Sequence, residues 1–495
     1  MPETLFSKKT FFILLAIFIA SRLISMVFVP LMDPSEARYA ILAKSMVESG
    51  NFWEPRYYYE GVNQVFLAKP PLAFQMSAAC CKAFGMSVFA TRLPAFLSAL
   101  AILGIIYLNV KRLRNEQCAM CATLLCASSF MFFLYAGLTM TDLILTAAIV
   151  GAIFSYIRFE SAQESKDKKI FSILFFVTLA VGTLIKGPVA LVMAGLPVFF
   201  HVLINNRWKE LRFHSWIIGS ALFLAIVIPY YWYMGVQHPE FIRYFILEEN
   251  FNRFLFKGSA SQFGTARESF RGSAFCFFIL LNIPLVFLIQ LYPKTNFTKM
   301  YNWALFRDPL CGIAALTFIT ITLFWCLTSR VLITYLLPTI PFSAVFLAVR
   351  FNDGGLMESA RFNKLLRIFI AVFICFLPIA ITSGAMGGIA FSNELPAPFL
   401  LQAKQIIEND NRNSESKIYF CYDSPHSAEY YIPQLTKFHI PDKNAQESVK
   451  NSVGYFFAIK DKDLKSLGAP LNRKLLLKYG KWNLFAAPDT DYSKP

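Results

Sequence analysis

The stretch FFILLAIFIASRLISMVFVPLMDPSEARYA, residues 11–40, sets an apolar run over 11–31 against three ionisable side chains and a tyrosine in DPSEARYA, residues 33–40. About twenty apolar residues suffice for a helix to cross a bilayer. Lys8 and Lys9 precede the run and no small-residue cleavage site follows it, so it is read as an uncleaved first span. Asp33 and Glu36 lie three residues apart. If DPSEARYA opens a short helix after Pro34, they share one face near its N-terminus, where the positive dipole end favours carboxylates. N-capping by Asp33 or Ser35 explains the same residues without chemistry.

The composition carries the membrane reading through the whole chain. Of 495 residues, 56% are hydrophobic and 16% charged, with 52 Phe, far too apolar for a soluble chain of this length. The net charge of +16 would suggest nucleic acid in a soluble protein; here basic cytoplasmic loops account for it, and nucleic-acid binding is discounted. Most of the ten cysteines fall in apolar runs and behave as small apolar residues, so no disulfide framework is implied. Cys118 and Cys121 form a C-x-x-C without further ligands, a weak signal for metal or redox use.

Apolar runs recur at roughly 11–31, 87–109, 118–136, 143–158, 170–184, 187–204, 214–234, 272–292, 309–328, 331–349 and 367–390, predicting a polytopic α-helical membrane protein of about 11–13 transmembrane helices. With the N-terminus in the cytoplasm, the inner segments carry about 19 Lys and Arg, against about 12 in the longer outer loops. The reverse topology breaks the positive-inside rule at nearly every short loop. The outer face then receives loops 32–86 and 235–271, short turns near Asp142, Lys186 and Arg330, and everything beyond about 391. Residues 1–390 are expected to form the membrane domain. Residues 391–495 change in character: ESKIYFCYDS, SVGYFFAIK and KWNLFAAP read as strands and FLLQAKQIIEND as a helix, predicting a small α/β soluble domain on the outer, periplasmic face. No internal repeat is apparent, which lowers the prior for a secondary transporter.

Ionisable groups at membrane depth are costly and need a partner or a role. Asp142 opens an apolar span in TMTDLILTAA, and Lys186 sits between two spans in GTLIKGPVALV; a helix cap and an interfacial anchor are the plain readings of each. Lys69, fixed by Pro70 and Pro71, can hold a phosphate as a point charge or simply snorkel. Glu248, Glu249, Asn250 and Arg253 fall in the second large outer loop, where a surface helix would also accommodate them, and Arg330 and Tyr335 mark an outer span end. Together these residues put carboxylates and cations on one face, as a site handling a lipid phosphate would need.

The motifs P-S-E-A-R-Y-A, E-P-R, A-K-P-P, R-L-P-A, T-D-L, I-K-G, E-E-N-F-N-R-F and T-Y-L-L-P, in that order over residues 11 to about 350, resemble the integral-membrane glycosyltransferases that include the lipid A aminoarabinose transferases and the protein O-mannosyltransferases. The resemblance implies a GT-C helix bundle that takes a sugar from a polyprenyl-phosphate donor, working in the bacterial inner membrane. For the aminoarabinose transferases the donor is undecaprenyl phosphate-aminoarabinose and the acceptor a phosphate of lipid A. It further implies Lys69, Lys186, Arg330 and Tyr335 at the donor phosphate, Asp33, Glu36 and Asp142 as catalytic carboxylates, and Arg38, Tyr39, Arg56, Glu249, Asn250 and Arg253 around the cavity. Two departures stand out. Ser35-Glu36 occupies the place of the family's Asp-Glu pair, so either Glu36 or Asp33 acts, and Val331 replaces a lysine, with Arg330 beside it.

The chemistry expected is displacement at the anomeric carbon with polyprenyl phosphate leaving. A phosphate acceptor is already anionic and needs positioning, whereas a hydroxyl acceptor needs a general base. A protein O-mannosyltransferase shares this donor logic. Another amino sugar could replace aminoarabinose, no cofactor is certain and a divalent cation stays open, and a flippase would want its polar residues near the midplane.

Overall fold

A computed structural model describes residues 5–59, 62–256, 268–282, 303–385, 396–409, 417–421, 425–433, 435–440, 455–466 and 474–486. They divide into two compact units. The first comprises 1–24, 67–76 and 92–379, and the second comprises 25–66, 77–91 and 380–495.

Ten helices open the chain: α1 (Lys8–Phe28), α2 (Ser35–Ser49), α3 (Leu72–Phe84), α4 (Val88–Leu113), α5 (Glu116–Ala127), α6 (Phe130–Tyr135), α7 (Thr141–Ser161), α8 (Ser165–Lys186), α9 (Val189–Ile204) and α10 (Trp216–Gln237). Further helices span Ser273–Leu281, Pro309–Cys326, Thr339–Asp353 and Ala360–Ala385. Among the described residues seven helical stretches are long and apolar enough to cross a membrane, and α5 and α9 are shorter apolar helices. The chain is a multi-pass membrane protein. The run expected at 118–136 is two helices broken at Ser128–Ser129, and that expected at 331–349 begins with a tight turn, Ile333–Leu336, before its α-helix. Parts of the runs at 272–292 and 367–390, and of loop 235–271, lie outside the described residues.

α7 is buried along most of its length and packs antiparallel to α8, as the short 162–164 connection dictates. This pairing sets the site. Asp142 stands in the first turn of α7, at its positive dipole end, and Lys186 in the last turn of α8, at its negative end, so both charges suit their helix termini and meet where the termini do. Gly187 ends α8 at φ 76°, and Pro188 stands at the N-cap of α9. A Cβ on Gly187 would strike the Phe245 ring.

Phe245 belongs to an unusual segment, Arg243–Asn252, which is π-helical and continues into Arg253–Leu255. Long π-helical runs are rare and concentrate at functional sites. Gly187→Ala is therefore expected to cost about 1–3 kcal/mol in stability, from left-handed strain plus overpacking, and to lower activity by displacing this segment from Lys186. Thermal unfolding and turnover of the single variant check it.

In the second unit, β1 (Arg56–Tyr59) and β2 (Val62–Val65) form an antiparallel hairpin in the first long loop. α2 and this hairpin show that the loop is structured. The C-terminal part holds a five-stranded sheet of order β4-β3-β5-β7-β6, with β3 (Lys417–Cys421), β4 (Thr436–Ile440), β5 (Tyr455–Lys460), β6 (Leu475–Tyr479) and β7 (Trp482–Phe485). β3 is parallel to β4 and β5, whereas β7 runs antiparallel to β5 and β6. Phe399, Leu400, Ala403 and Ile407 from the helix Pro396–Glu408 pack on Ile418, Phe420, Phe456 and Trp482 of the sheet. The helix and the three strands read from the sequence are present where described, and β4 and β6 are additional.

Candidate active site

In the first unit the sequence-distant candidates converge through direct contacts. Lys186 Nζ lies 2.6 Å from Asp142 Oδ1, in a pair whose side chains are 11% and 5% exposed. The same ammonium sits 4.2 Å from the centre of the Tyr335 ring. Lys69 Nζ donates to Thr141 Oγ1 at 3.3 Å, beside Asp142, and its charge acts on that carboxylate together with Lys186. On the other side of Tyr335, Arg253 Nη2 donates to the phenol oxygen at 3.3 Å, and Arg253 Nη1 donates to Glu249 Oε2 at 2.9 Å. Glu249 Oε1 accepts from the Tyr244 hydroxyl at 3.0 Å. The Trp325 ring, 4.6 Å from that of Tyr335, backs the phenol.

The π-helical winding makes part of this arrangement. Tyr244 and Glu249 are five residues apart, on diverging faces of an α-helix but close to one face when each turn holds an extra residue. Asn250, expected in the cavity, donates its amide to the Phe245 carbonyl at 2.6 Å and thereby fastens the turn. Arg330 pairs with Glu268 at 3.0 Å.

The direction of one hydrogen bond has a chemical consequence. A guanidinium has only donors, so Tyr335 must accept from Arg253, and its own proton is left to point at something else. Within a few contacts the cluster offers two ammonium groups, a guanidinium and a phenol donor around a buried carboxylate. Such a set can hold a phosphate and stabilise it as a leaving group.

In the second unit, Asp33 Oδ1 accepts from the Ser427 N–H at 3.0 Å, at the start of the helix His426–Tyr431. The Leu31 N–H donates to the Tyr431 hydroxyl at 3.0 Å, and Leu31, Ala37 and Ala40 pack with Tyr430 and Tyr431. DPSEARYA does open a helix. Glu36, buried in its first turn, accepts the Met32 N–H through Oε2 at 2.9 Å, a reach-back that satisfies a donor ahead of the helix. Arg38 lies over the Tyr39 ring at 5.8 Å, both residues buried, and Arg56 pairs with Glu54 at 3.0 Å on the hairpin. Because an amide oxygen can still accept the Ser427 N–H, Asp33→Asn is expected to keep the fold and most of the activity, while Asp33→Ala destabilises by about 1–2 kcal/mol. Turnover and melting of the two variants separate an anchoring carboxylate from a reacting one.

Some groups escaped the sequence reading. Arg22, 2% exposed inside the first apolar run, lies 5.1 Å over Phe133, and Gly137 leaves room for its guanidinium. Arg92, within R-L-P-A, is fully buried. Both were legible as charges at membrane depth. Thr141 and Tyr244 carried no such signal. The C-x-x-C cysteines are buried in α5, and among the described residues no group of three or more His, Cys, Asp or Glu is placed to hold a metal ion.

The fold is that of the GT-C membrane glycosyltransferases. Over 96% of this chain and 97% of the other, it superposes on the crystal structure of ArnT from Cupriavidus metallidurans bound to undecaprenyl phosphate, with TM-score 0.76 at 16% identity. An archaeal oligosaccharyltransferase from Archaeoglobus fulgidus is a more distant likeness, TM-score 0.53 at 11% identity over 91% of this chain and 69% of that one. Residues 7–245 match the model of the dolichyl-phosphate-mannose-protein mannosyltransferase family. Among curated proteins, an undecaprenyl phosphate-aminoarabinose arabinosyl transferase of Proteus mirabilis is 30% identical over 232 residues, 46% of this chain and 41% of that protein. One from Pseudomonas fluorescens is 24% identical over 374 residues, 73% and 63% of the two chains. The matches span from about two-fifths to under two-thirds of these relatives' lengths. The fold is thus that of the GT-C glycosyltransferases, and the sequence is similar over part of its length both to aminoarabinose transferases and to protein mannosyltransferases.

Proposed function

We propose that this protein transfers an amino sugar, aminoarabinose in the first instance, from undecaprenyl phosphate to a phosphate of lipid A at the periplasmic face of the bacterial inner membrane. The observation that carries the reading is the meeting of Asp142, Lys186, Tyr335 and Arg253 in one cluster. Lys69, Lys186, Arg253 and the Tyr335 hydroxyl would hold the donor phosphate. An acceptor oxygen attacks the anomeric carbon, the bond from that carbon to the phosphate oxygen breaks, and its electron pair leaves with undecaprenyl phosphate, whose charge these donors stabilise. Asp142 keeps Lys186 oriented and supplies negative charge near the oxocarbenium-like centre. In the first outer loop Glu36 or Asp33 supplies the reacting carboxylate; each accepts one backbone N–H through one oxygen, Glu36 from Met32 and Asp33 from Ser427.

The mannosyltransferase family match supports a second reading, mannose transfer to protein hydroxyls from the same kind of donor. Mass spectrometry of lipid A and envelope proteins from cells with and without the chain decides between them. An aminoarabinose residue on lipid A that depends on the chain supports the first reading. Unchanged lipid A with a glycan lost from a protein supports the second.

A further inference from the structure

The opposite end of the α7–α8 pair, about 30 Å from Asp142 along 21-residue α7, carries a second concentration of charge that sugar transfer does not use. α8 begins there with Lys166, Lys168 and Lys169, and the tight-turned segment Trp208–Phe213 between α9 and α10 adds Lys209 and Arg212. Three cations at this end are neutralised. Arg207 meets Glu160 at 2.7 Å and Glu210 at 3.1 Å, Arg112 meets Asp167 at 4.0 Å, and Lys111 meets Glu116 at 2.7 Å. Among the described residues, Lys166, Lys168, Lys169, Lys209 and Arg212 form no ion pair.

Two of these converge on one ring. Lys168 Nζ lies 5.4 Å and the Arg212 guanidinium carbon 4.7 Å from the centre of Phe213. Both cations are thus positioned by the same exposed ring, where an anion can meet them. The surface is also preformed. The Ser172 hydroxyl of α8 bonds His214 Nδ1 at 2.6 Å and accepts the Ser215 N–H at 2.7 Å, and the Trp216 indole donates to the Leu211 carbonyl at 2.8 Å. Around the cations stand exposed Trp208, Phe213, Trp216 and Ile170. General positive-inside charge needs no such hydrogen-bonded scaffold.

We infer that this end of the bundle is a binding site for the headgroup of an acidic phospholipid in the leaflet opposite the transfer site. Lys168 and Arg212 would hold the phosphodiester beside Phe213, with its acyl chains against the exposed aromatics. Free phosphate satisfies the charges but not the apolar floor, and a neutral lipid satisfies only the floor. A phosphatidylglycerol-type lipid satisfies both.

The test uses the full-length protein in phosphatidylcholine nanodiscs doped with phosphatidylglycerol, with retained lipids counted by native mass spectrometry. Wild type is expected to retain phosphatidylglycerol in preference to phosphatidylcholine. The double variant Lys168→Ala, Arg212→Ala should lose that preference by about 10- to 30-fold, and Lys168→Arg, Arg212→Lys should restore it. If the double variant does not fold, exposed Lys169→Ala and Lys209→Ala must each lower retention. Equal retention of the two lipids, indifference to these substitutions in folded protein, or displacement of the lipid by inorganic phosphate would overturn the inference.

Discussion

Replacing Lys186 by methionine is expected to stop sugar transfer and to weaken the fold at once, and a second substitution pulls the two effects apart. Its ammonium is 2.6 Å from Asp142 and both side chains are nearly buried. Removing one partner of such a pair leaves the other charge unmatched in a poorly polarisable surround, which costs about 3–5 kcal/mol. Neutralising Asp142 as well removes most of that penalty, because the cation left nearby, Lys69, is only half-buried and keeps its bond to Thr141. Lys186→Met with Asp142→Asn should therefore melt close to wild type while staying inactive. If the double variant regained turnover with its stability, Lys186 would be only the structural partner of Asp142.

Tyr335→Phe carries the second large effect, and it isolates one proton. The ring that Lys186 covers at 4.2 Å and Trp325 backs at 4.6 Å is retained, so packing and melting temperature should change little. What disappears is the hydroxyl that accepts from Arg253 and donates outward. Loss of one donor aimed at developing negative charge lowers turnover by about 10²- to 10³-fold. If the phenol acts on the departing phosphate, the fall is in kcat. A rise in KM alone would show that it contributes equally to ground-state binding.

The residues that sequence made legible are those whose environment is abnormal for their chemistry. Asp142, Lys186 and Arg330 interrupt apolar runs, and a charge beside a membrane span calls for a partner whatever the fold. Spacing could not show which partner. Lys186 meets Asp142 because α8 returns antiparallel along α7 for its whole length, a tertiary fact that places residues 44 apart in contact. The π-helical segment was out of reach for a similar reason. Its sequence, RYFILEENFN, fits an ordinary amphipathic helix, and only the extra residue per turn joins Tyr244 to Glu249.

DPSEARYA shows the same limit from the other side. Its helix was foreseen from Pro34 and the dipole argument, and α2 begins at Ser35. The employment of Asp33 by the backbone of Ser427, 394 residues away, has no local signature. Strands β4 and β6 were missed for composition: TKFHI and LLLKY are short and mix charge with apolar residues, so neighbours in the sheet, more than propensity, make them strands.

Purified protein in vesicles containing undecaprenyl phosphate-aminoarabinose and lipid A offers the most direct measurement, with released undecaprenyl phosphate and modified lipid A quantified in the same sample. The account predicts one undecaprenyl phosphate released for each sugar placed on lipid A, with both products absent in Tyr335→Phe and Lys186→Met over the time wild type takes to finish. Lipid A left unmodified by wild type, or modified equally well by both variants, would contradict it.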